Sequence, residues 1–385
     1  MNAVNLLTHR ARQTPDSEAI VEVATGDRFT FADINRRACQ TARWLLALGI
    51  GYGDRVSILG HNSIAYVDLF FACGKIGAIF TPLNWRLTAD ELAWILNNCD
   101  SKVLLVEPEF ETVARQLNQV THVKHVVSRQ QFDQARATEA AGEPTPPKQL
   151  DAESIHAILY TSGTTGRPKG ALIPHRQVLW NAIATATSWE LSSEDCAPIL
   201  TPMFHAGGLF VFLTPLIYAG GKVLITKAFD LIQSVELIQA EKCSVILGVP
   251  TIFQMWLDGG RLQTADLSYV RYFISGGAPC PVPLIERWHE EVKVPLRQGY
   301  GMSEVGVNCF TMSNAESISK AGSVGRPIFH LTAQIVDGSG ETVERGATGE
   351  LVFSGPQVCA GYLNNPDATA MSIVNGWFYT GDMAR

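Results

Sequence analysis

Hydrophobic and polar positions follow two different periods along the first 110 residues. After Thr30, apolar residues recur at helical spacing and the run stops at Gly49, which predicts a capped amphipathic helix. A capping box at Thr88 predicts a second helix to about Asn97, and an apolar helix is expected over 65–75. Strands are predicted at 55–59, 77–83 and 102–107. Because strand and helix alternate, the pattern favours a parallel sheet with helices on both faces.

A second alternating region follows a connector. Residues 136–148 contain several Ala, Glu and Pro residues, so we expect an exposed connecting segment there. Asp230 is expected to cap a helix that reaches Ala240, and Thr251 to open a short one. Strands are predicted at 155–160, 171–173, 243–249 and 272–275.

Beyond residue 325 the pattern changes to short strands separated by turn residues, as at 332–336 and 349–354. The expected fold class is therefore α/β. It consists of two alternating α/β sub-domains with mainly parallel sheets, at 1–150 and 151–324, and a small C-terminal β-barrel-like sub-domain at 325–385.

Composition and charge exclude several classes of protein. The 385 residues are 46% hydrophobic and carry a net charge of −7, which argues against a general nucleic-acid binder or a polybasic membrane surface. The eight cysteines are scattered singly without a C-x-x-C pair, so we expect reduced core residues and neither a disulfide framework nor a zinc site. The N-terminus lacks the apolar core of a signal peptide and no run approaches a membrane span, so a cytoplasmic protein is expected.

The stretch with the strongest chemical signal is 160–170, Tyr-Thr-Ser-Gly-Thr-Thr-Gly-Arg-Pro-Lys-Gly, which lies between two predicted strands. Glycines let backbone N–H groups approach an anion, the hydroxyls add neutral donors, and Arg167 and Lys169 supply positive charge. A Gly/Ser/Thr turn is usually only a turn, but eleven residues of this composition favour a phosphate cradle. It is not a Walker loop, because Pro168 precedes Lys169 and Gly170 follows it.

Four later stretches carry further candidate residues. In 298–304, two glycines leave one face of Tyr300 open to stack a base, and Glu304 is an oxygen ligand suited to Mg²⁺. Taken alone, the Gly-Tyr-Gly sequence is an ordinary turn, and a lone glutamate such as Glu304 is usually a solvated charge. Residues 275–279 end a strand in two glycines whose backbone could border a base or a substrate. Asp382 follows a glycine turn and could accept ribose hydroxyls. His205, within 202–208, is either a core histidine or a substrate contact.

Together these stretches resemble the signatures of the adenylate-forming enzymes, the superfamily of acyl-CoA synthetases, firefly luciferase and peptide-synthetase adenylation domains. The resemblance runs from Leu6 to Asp382 and implies that Tyr300 stacks on adenine, Glu304 holds magnesium and Asp382 binds ribose. It implies His205, Glu304 and Lys169 as catalytic residues. The implied nucleotide-binding residues are Thr161, Ser162, Gly163, Thr164, Thr165, Gly166, Lys169, Gly276, Gly277, Ala278, Gln298, Gly299, Tyr300, Gly301, Met302, Ser303 and Asp382. Ser303 departs mildly from the family pattern, in which Thr is common, but keeps a hydroxyl.

The resemblance also implies where the acid binds. Amino-acid-activating relatives place an aspartate in the stretch that matches 202–208, whereas this chain has neutral residues there, so an amino-acid substrate is disfavoured. The implied substrate-binding residues are His205, Gly207, Val249, Pro250, Phe253, Gly277, Gly301, Met302 and Val305. They are mostly apolar and none is charged, which favours an apolar, fatty or aromatic carboxylic acid over a dicarboxylate.

The activity implied by the resemblance is ATP-dependent conversion of a carboxylic acid to acyl-AMP with release of pyrophosphate, followed by transfer to the thiol of coenzyme A. Relatives continue into a small mobile domain that carries a lysine for adenylation, and this chain ends at Arg385. We therefore expect a trimmed chain that binds ATP and acid but turns over poorly; a naturally shortened protein is the alternative.

Two alternatives to this activity are an acyl-AMP ligase that loads a carrier protein's phosphopantetheine arm and a non-catalytic nucleotide or metabolite sensor. The intact phosphate loop, Glu304 and Asp382 argue against the sensor. A homodimer is also possible by resemblance.

Overall fold

The computed structural model describes residues 6–161 and 167–385 of the chain. Within these ranges the helices are α1 (Leu6–Gln13), α2 (Phe31–Ala47), α3 (Ile64–Ile76), α4 (Ala89–Asn98), α5 (Glu111–Val120), α6 (Arg129–Ala137), α7 (His175–Ser188), α8 (Ala206–Phe210), α9 (Leu213–Ala219), α10 (Leu231–Ala240), α11 (Pro250–Gly259), α12 (Val282–Glu291), α13 (Glu316–Ser319) and α14 (Pro366–Ser372).

The strands within the same ranges are β1 (Glu18–Glu22), β2 (Asp27–Thr30), β3 (Arg55–Leu59), β4 (Ile79–Leu83), β5 (Ser101–Val106), β6 (His125–Ser128), β7 (Ile155–Thr161), β8 (Lys169–Pro174), β9 (Cys196–Ile199), β10 (Lys222–Ile225), β11 (Val245–Gly248), β12 (Tyr272–Ser275), β13 (Leu296–Gln298), β14 (Phe310–Thr311), β15 (Arg326–Pro327), β16 (Thr332–Val336), β17 (Gly349–Ser354), β18 (Ile373–Val374) and β19 (Trp377–Ala384).

The sheets are mainly parallel in the first two thirds of the chain. The largest has the order β6-β5-β3-β4-β7-β8, and all of its pairs are parallel except the β7–β8 hairpin. A second sheet has the order β2-β1-β10-β9, and a third consists of the parallel strands β11-β12-β13. Near the C-terminus, β16-β17-β19-β18 form an antiparallel sheet. The predicted α/β class is confirmed, while closure of the last sheet into a barrel stays a prediction.

The capping signals in the sequence begin helices where they were predicted. Thr30 and Asp33 form a reciprocal capping box at the start of α2, in which each side chain accepts from the other residue's backbone N–H. Thr88 and Glu91 do the same for α4. Asp230 accepts from two backbone N–H groups at the start of α10.

The sheets do not follow the predicted boundary at residue 150. Strand β1 pairs with β10, and β4 pairs with β7, so two sheets are built from both sides of that position. The division into three sub-domains stays a prediction, but hydrogen bonding joins the first two.

The expectation of an exposed connector at 136–148 is wrong for part of that segment. Arg136 lies in the last turn of α6 and is 7% exposed. Glu143 accepts hydrogen bonds from the ammonium of Lys75, with Nζ–Oε2 at 2.9 Å, and from Asn35 and Thr8. Lys75 is 3% exposed, and a buried ammonium needs a carboxylate partner. The connector is held against the protein for that reason.

Helix α3 is buried along its whole length and includes one carboxylate, Asp68, which is fully buried. Arg37 of α2 donates two hydrogen bonds to Asp68, from Nε at 2.9 Å and from Nη2 at 2.6 Å. This bidentate pair joins the two most extensively packed helices of the first region.

Replacement of Asp68 by Ala should lower the free energy of unfolding by about 3–5 kcal/mol, because Arg37 would keep a mostly buried charge without its partner. Urea unfolding monitored by tryptophan fluorescence measures the change. The matched control is Asp258→Ala, which breaks an exposed ion pair with Arg287 and should leave the urea midpoint almost unchanged. Equal shifts for the two variants would contradict a structural role for the buried pair.

Candidate active site

The main cleft lies at the carboxyl ends of three neighbouring parallel strands. In the register of the third sheet, Gly248 of β11, Ser275 of β12 and Gln298 of β13 lie side by side. The residues that follow these strand ends border a cavity of about 680 Å³, together with segments 200–202, 205–207 and 227–229. Ligands of open parallel sheets commonly bind at such strand ends. The sheet register therefore brings separate parts of the sequence to one site.

Glycine at two positions shapes this edge. A Cβ atom at Gly301 would lie 2.0 Å from the carbonyl oxygen of Val307, so only glycine fits there. Gly277 has φ +78°, which disfavours other residues. Of the residues predicted to bind nucleotide, those that line the cavity are Gly276, Gly277, Gly299, Tyr300, Gly301, Met302 and Ser303. Ala278 is exposed outside the lining, and Gln298 is buried with its side-chain amide donating to the carbonyl of Leu296.

Glu304 directly follows the cavity-lining Ser303 and is buried, at 4% exposure. Its Oε1 accepts from the hydroxyl of Thr161, at 3.3 Å, and from the hydroxyl of Tyr362, at 3.0 Å. Burial raises the pKa of Glu304, while these two hydrogen bonds and the charge of Lys169 act in the opposite direction. The end of β7, the 303–305 turn and a C-terminal segment thus meet at one carboxylate.

In the sequence, the predicted phosphate loop is flanked by Thr161 and Lys169. Thr161 ends β7 and Lys169 begins β8, and the Lys169 ammonium lies 5.3 Å from the centre of the Tyr362 ring. The guanidinium of Arg167 lies 5.6 Å from the ring of Trp94. The predicted contacts at Ser162, Gly163, Thr164, Thr165 and Gly166 lie outside the described residues.

Tyr362 is a residue that the sequence analysis missed. Segment 360–363 adds to the free edge of β8, where the carbonyl of Gly361 accepts from the N–H of Leu172 at 2.9 Å and the N–H of Leu363 donates to the carbonyl of Gly170 at 2.8 Å. This long-range pairing places the Tyr362 hydroxyl on Glu304 and its ring beside Lys169. No local pattern marks a tyrosine for such a position.

Tyr300 and Asp382, which were predicted to bind adenine and ribose, are in direct contact. The Tyr300 hydroxyl donates to Asp382 Oδ2 at 2.6 Å, and its ring lies nearly parallel to that of Phe353, with the ring centres 6.1 Å apart. Burial raises the pKa of Tyr300, and the Asp382 carboxylate raises it further, so the phenol remains a donor. This contact links the C-terminal antiparallel sheet to the strand-end cleft.

His205 lines the cavity immediately before α8. His205 is exposed at the mouth of the cleft, but desolvation by the cleft wall and the nearby Arg86 guanidinium lower the pKa of its ring. The ring is therefore neutral at pH 7, with one nitrogen able to donate and the other able to accept a hydrogen bond.

The sequence analysis described an acid pocket without charge, but the cavity wall includes Arg86 and Lys227. Lys227 forms an ion pair with Glu109. The Arg86 guanidinium lies 4.9 Å from the ring of Trp85 and has no ion-pair partner among residues 6–161 and 167–385. These cations remove the argument against a dicarboxylate, which depended on an uncharged wall.

The predicted acid contacts divide into two groups. Those that line the cavity are His205, Gly207, Val249, Gly277, Gly301 and Met302. Pro250 begins α11 outside the lining, Val305 is fully buried, and Phe253 packs on Trp288 with ring centres 5.0 Å apart. The phase of α11 explains the position of Phe253, because Thr251 and Met255, four residues apart, line the cavity while Phe253 points into the core.

Among the described residues, no group of three or more His, Cys, Asp or Glu side chains could hold a metal ion. Likewise, no helix in the described ranges is long and apolar enough to cross a membrane.

Comparison with known proteins gives a consistent result. The profile of the family described as AMP-binding enzyme matches residues 7–363. The feruloyl-CoA synthase of an Amycolatopsis species is 36% identical over 376 residues, which cover 97% of this chain and 74% of that protein. The indoleacetate–CoA ligase of Aromatoleum aromaticum is 37% identical over 89% of this chain and 68% of that protein. The N-terminal domain of FACL13 from Mycobacterium tuberculosis superposes with a TM-score of 0.93 at 30% identity, covering 100% of this chain and 96% of that one.

Replacement of Tyr362 by Phe should weaken magnesium-dependent ATP binding by roughly tenfold or more, because a hydrogen bond to a charged group is lost at Glu304. Calorimetric titration with ATP at several magnesium concentrations measures the change. Tyr379→Phe is the matched control, since its hydroxyl has no hydrogen bond among the described residues. If ATP affinity fell equally with and without magnesium, a role of Tyr362 in holding Glu304 would be excluded.

Proposed function

Because this chain belongs to the family of AMP-binding enzymes and its relatives are CoA ligases, we propose that it activates an aromatic carboxylic acid with ATP and transfers the acyl group to the thiol of coenzyme A. The observation that carries the proposal is the buried Glu304 carboxylate, held between the phosphate-loop strand and Tyr362 beside a largely apolar cavity. A carrier-protein thiol is the alternative acceptor.

Two steps account for the chemistry. A carboxylate oxygen of the acid attacks the α-phosphorus of ATP, the bond to the β-phosphate oxygen breaks, and pyrophosphate leaves. The thiol sulfur then attacks the carbonyl of the acyl-AMP, the bond to AMP breaks, and the thiol proton is lost. The first step brings two anions together, so the site must align them and neutralise their charge.

The residues of the cleft suit these demands. Lys169 supplies positive charge at the flank of the phosphate loop, and Tyr300 offers a ring for the base while its hydroxyl holds Asp382 for ribose. Neutral His205 borders the acid and can donate a hydrogen bond to its carboxylate. Arg86, a cation on the cavity wall, is suited to a phosphate of ATP or of coenzyme A.

The donor set at Glu304 fits magnesium. Mg²⁺ is usually held by one or two carboxylates together with substrate phosphates and water, and Glu304 with the Thr161 hydroxyl offers such oxygen atoms. When bound, magnesium neutralises charge on the phosphates. Glu304 and Thr161 would hold it.

The cavity wall also bears on the substrate. Its lining within the described chain contains no Asp or Glu, so an ammonium group would have no partner, which disfavours an amino acid. The wall away from the nucleotide residues includes Trp189, Val211 and Val307, which suit an aromatic ring. Two of the relatives are named as a feruloyl-CoA synthase and an indoleacetate–CoA ligase.

The direct test of the proposal is calorimetric binding of non-hydrolysable acyl-AMP mimics to the protein, with aryl, medium-chain and long-chain acyl groups. Tight binding of an aryl mimic is expected, and binding of long-chain mimics alone would overturn the aromatic assignment. Comparison of free coenzyme A with a phosphopantetheine carrier as acceptor decides between the two thiols.

Replacement of Glu304 by Gln should abolish the tightening of ATP binding by magnesium, because the amide keeps the shape of the side chain but lacks its charge. The expected loss in affinity for MgATP is about tenfold to a hundredfold, the range for a hydrogen bond to a charged group. Titrations with EDTA serve as the control, since both proteins should then bind ATP alike. A variant that still responded to magnesium would exclude Glu304 as the ligand.

Replacement of Gly207 by Val should weaken binding of bulky aromatic acids without weakening ATP binding. The nearest atom to a Cβ at Gly207 is the Thr201 hydroxyl oxygen, at 3.8 Å, so the fold accepts the side chain and the cavity loses the space. Competition between the acids and an aryl-AMP mimic measures the effect. Acetate, which is small, should compete equally in both proteins, and unchanged binding of bulky acids would show that they bind elsewhere.

A further inference from the structure

One polar side chain, Asn308, lies on the apolar part of the cavity wall, at 3% exposure. Its Nδ2 donates to the Thr185 hydroxyl at 2.9 Å and to the carbonyl of Val211 at 3.3 Å. Val211 directly follows α8, while His205 directly precedes it. At 1.5 Å per helical residue, the two positions lie about 9 Å apart. Asn308 therefore marks the end of the wall opposite His205.

The orientation of the Asn308 amide follows from its partners. A backbone carbonyl can only accept a hydrogen bond, so the amide nitrogen must face Val211. The Oδ1 atom then points away from Val211, and in the ranges 6–161 and 167–385 no group donates to it. This oxygen is not fully enclosed by protein, so a ligand or a water in the cavity can donate a hydrogen bond to it.

The neighbouring residues on the wall cannot supply that donor. Val211 and Val307 have apolar side chains, and the indole Nε1 of Trp189 already donates to the carbonyl of Phe310, at 3.4 Å. A donor for Asn308 Oδ1 must therefore enter the cavity with a ligand or as water.

We propose that Asn308 determines specificity for a hydroxyaryl acid, whose hydroxyl lies at the opposite end from its carboxylate and donates to Asn308 Oδ1. The inference rests on the proposed function, because the carboxylate must lie at the His205 end to react. A site built to bind a hydroxyl rejects the analogue that lacks it, since its own polar group is then left unpaired. Such a hydroxyl is separated from the carboxylate by a whole aromatic ring, in keeping with the length of α8.

The test uses a series of matched acids, titrated by calorimetry into the protein saturated with magnesium and the α,β-methylene analogue of ATP. The acids are 4-hydroxycinnamic, 4-aminocinnamic, 4-fluorocinnamic and cinnamic acid. The two acids with a donor should bind at least tenfold more tightly than the fluoro and unsubstituted acids, which are similar in shape.

The variant Asn308→Leu keeps the number and branching of the side-chain heavy atoms, although it is bulkier, and has no acceptor, so the ratio of hydroxy to fluoro affinity should fall to about one. Affinity for the ATP analogue alone reports whether the variant is folded, and the acid series on the unaltered protein tests the proposal independently of it. Equal binding of the hydroxy and fluoro acids would overturn this inference and leave the proposed function standing. If none of these acids bound while the ATP analogue did, the aromatic substrate of the proposed function would be excluded, and this inference with it.

Discussion

The site depends on the burial of a single carboxylate. Glu304 is almost inaccessible to water, and a buried charge is tolerated only when it is paired or hydrogen-bonded. Its partners come from segments far apart in the chain, the end of β7 through Thr161 and the strand-like segment 360–363 through Tyr362. The same carboxylate is the group proposed to hold magnesium, so one arrangement would meet both the need to stabilise the buried charge and the need to bind ATP.

The C-terminal region contacts the site at two points, one at Glu304 and one at Tyr300. Tyr362 reaches Glu304 from the segment between β17 and β18, and Asp382 of β19 accepts from Tyr300. A residue predicted to stack on adenine is thus oriented by the one predicted to bind ribose. Nucleotide binding would therefore also reinforce the contact between this sheet and the strand-end cleft.

Substrate discrimination is proposed for a separate region, the part of the cavity wall to which α8 and α11 contribute. Helix phase determines which side chains reach the cavity, so Met255 lines it while Phe253 belongs to the aromatic core with Trp288. Asn308 borders the same cavity, next to the apolar residues Trp189, Val211 and Val307. An acid would therefore be held by its reacting end near His205 and recognised at the other end.

The sequence by itself determined the local features: helices that begin at Thr30, Thr88 and Asp230, and the α/β alternation. Helix-capping residues and hydrophobic periodicity involve only residues close together in sequence, so they can be recognised without knowing the fold. The tertiary structure alone decided that Tyr362 lies on Glu304, that Glu143 pairs with Lys75, and that Asn308 rather than Phe253 lines the cavity. These contacts join residues distant in sequence, and they depend on sheet register and helix phase, which no local pattern specifies.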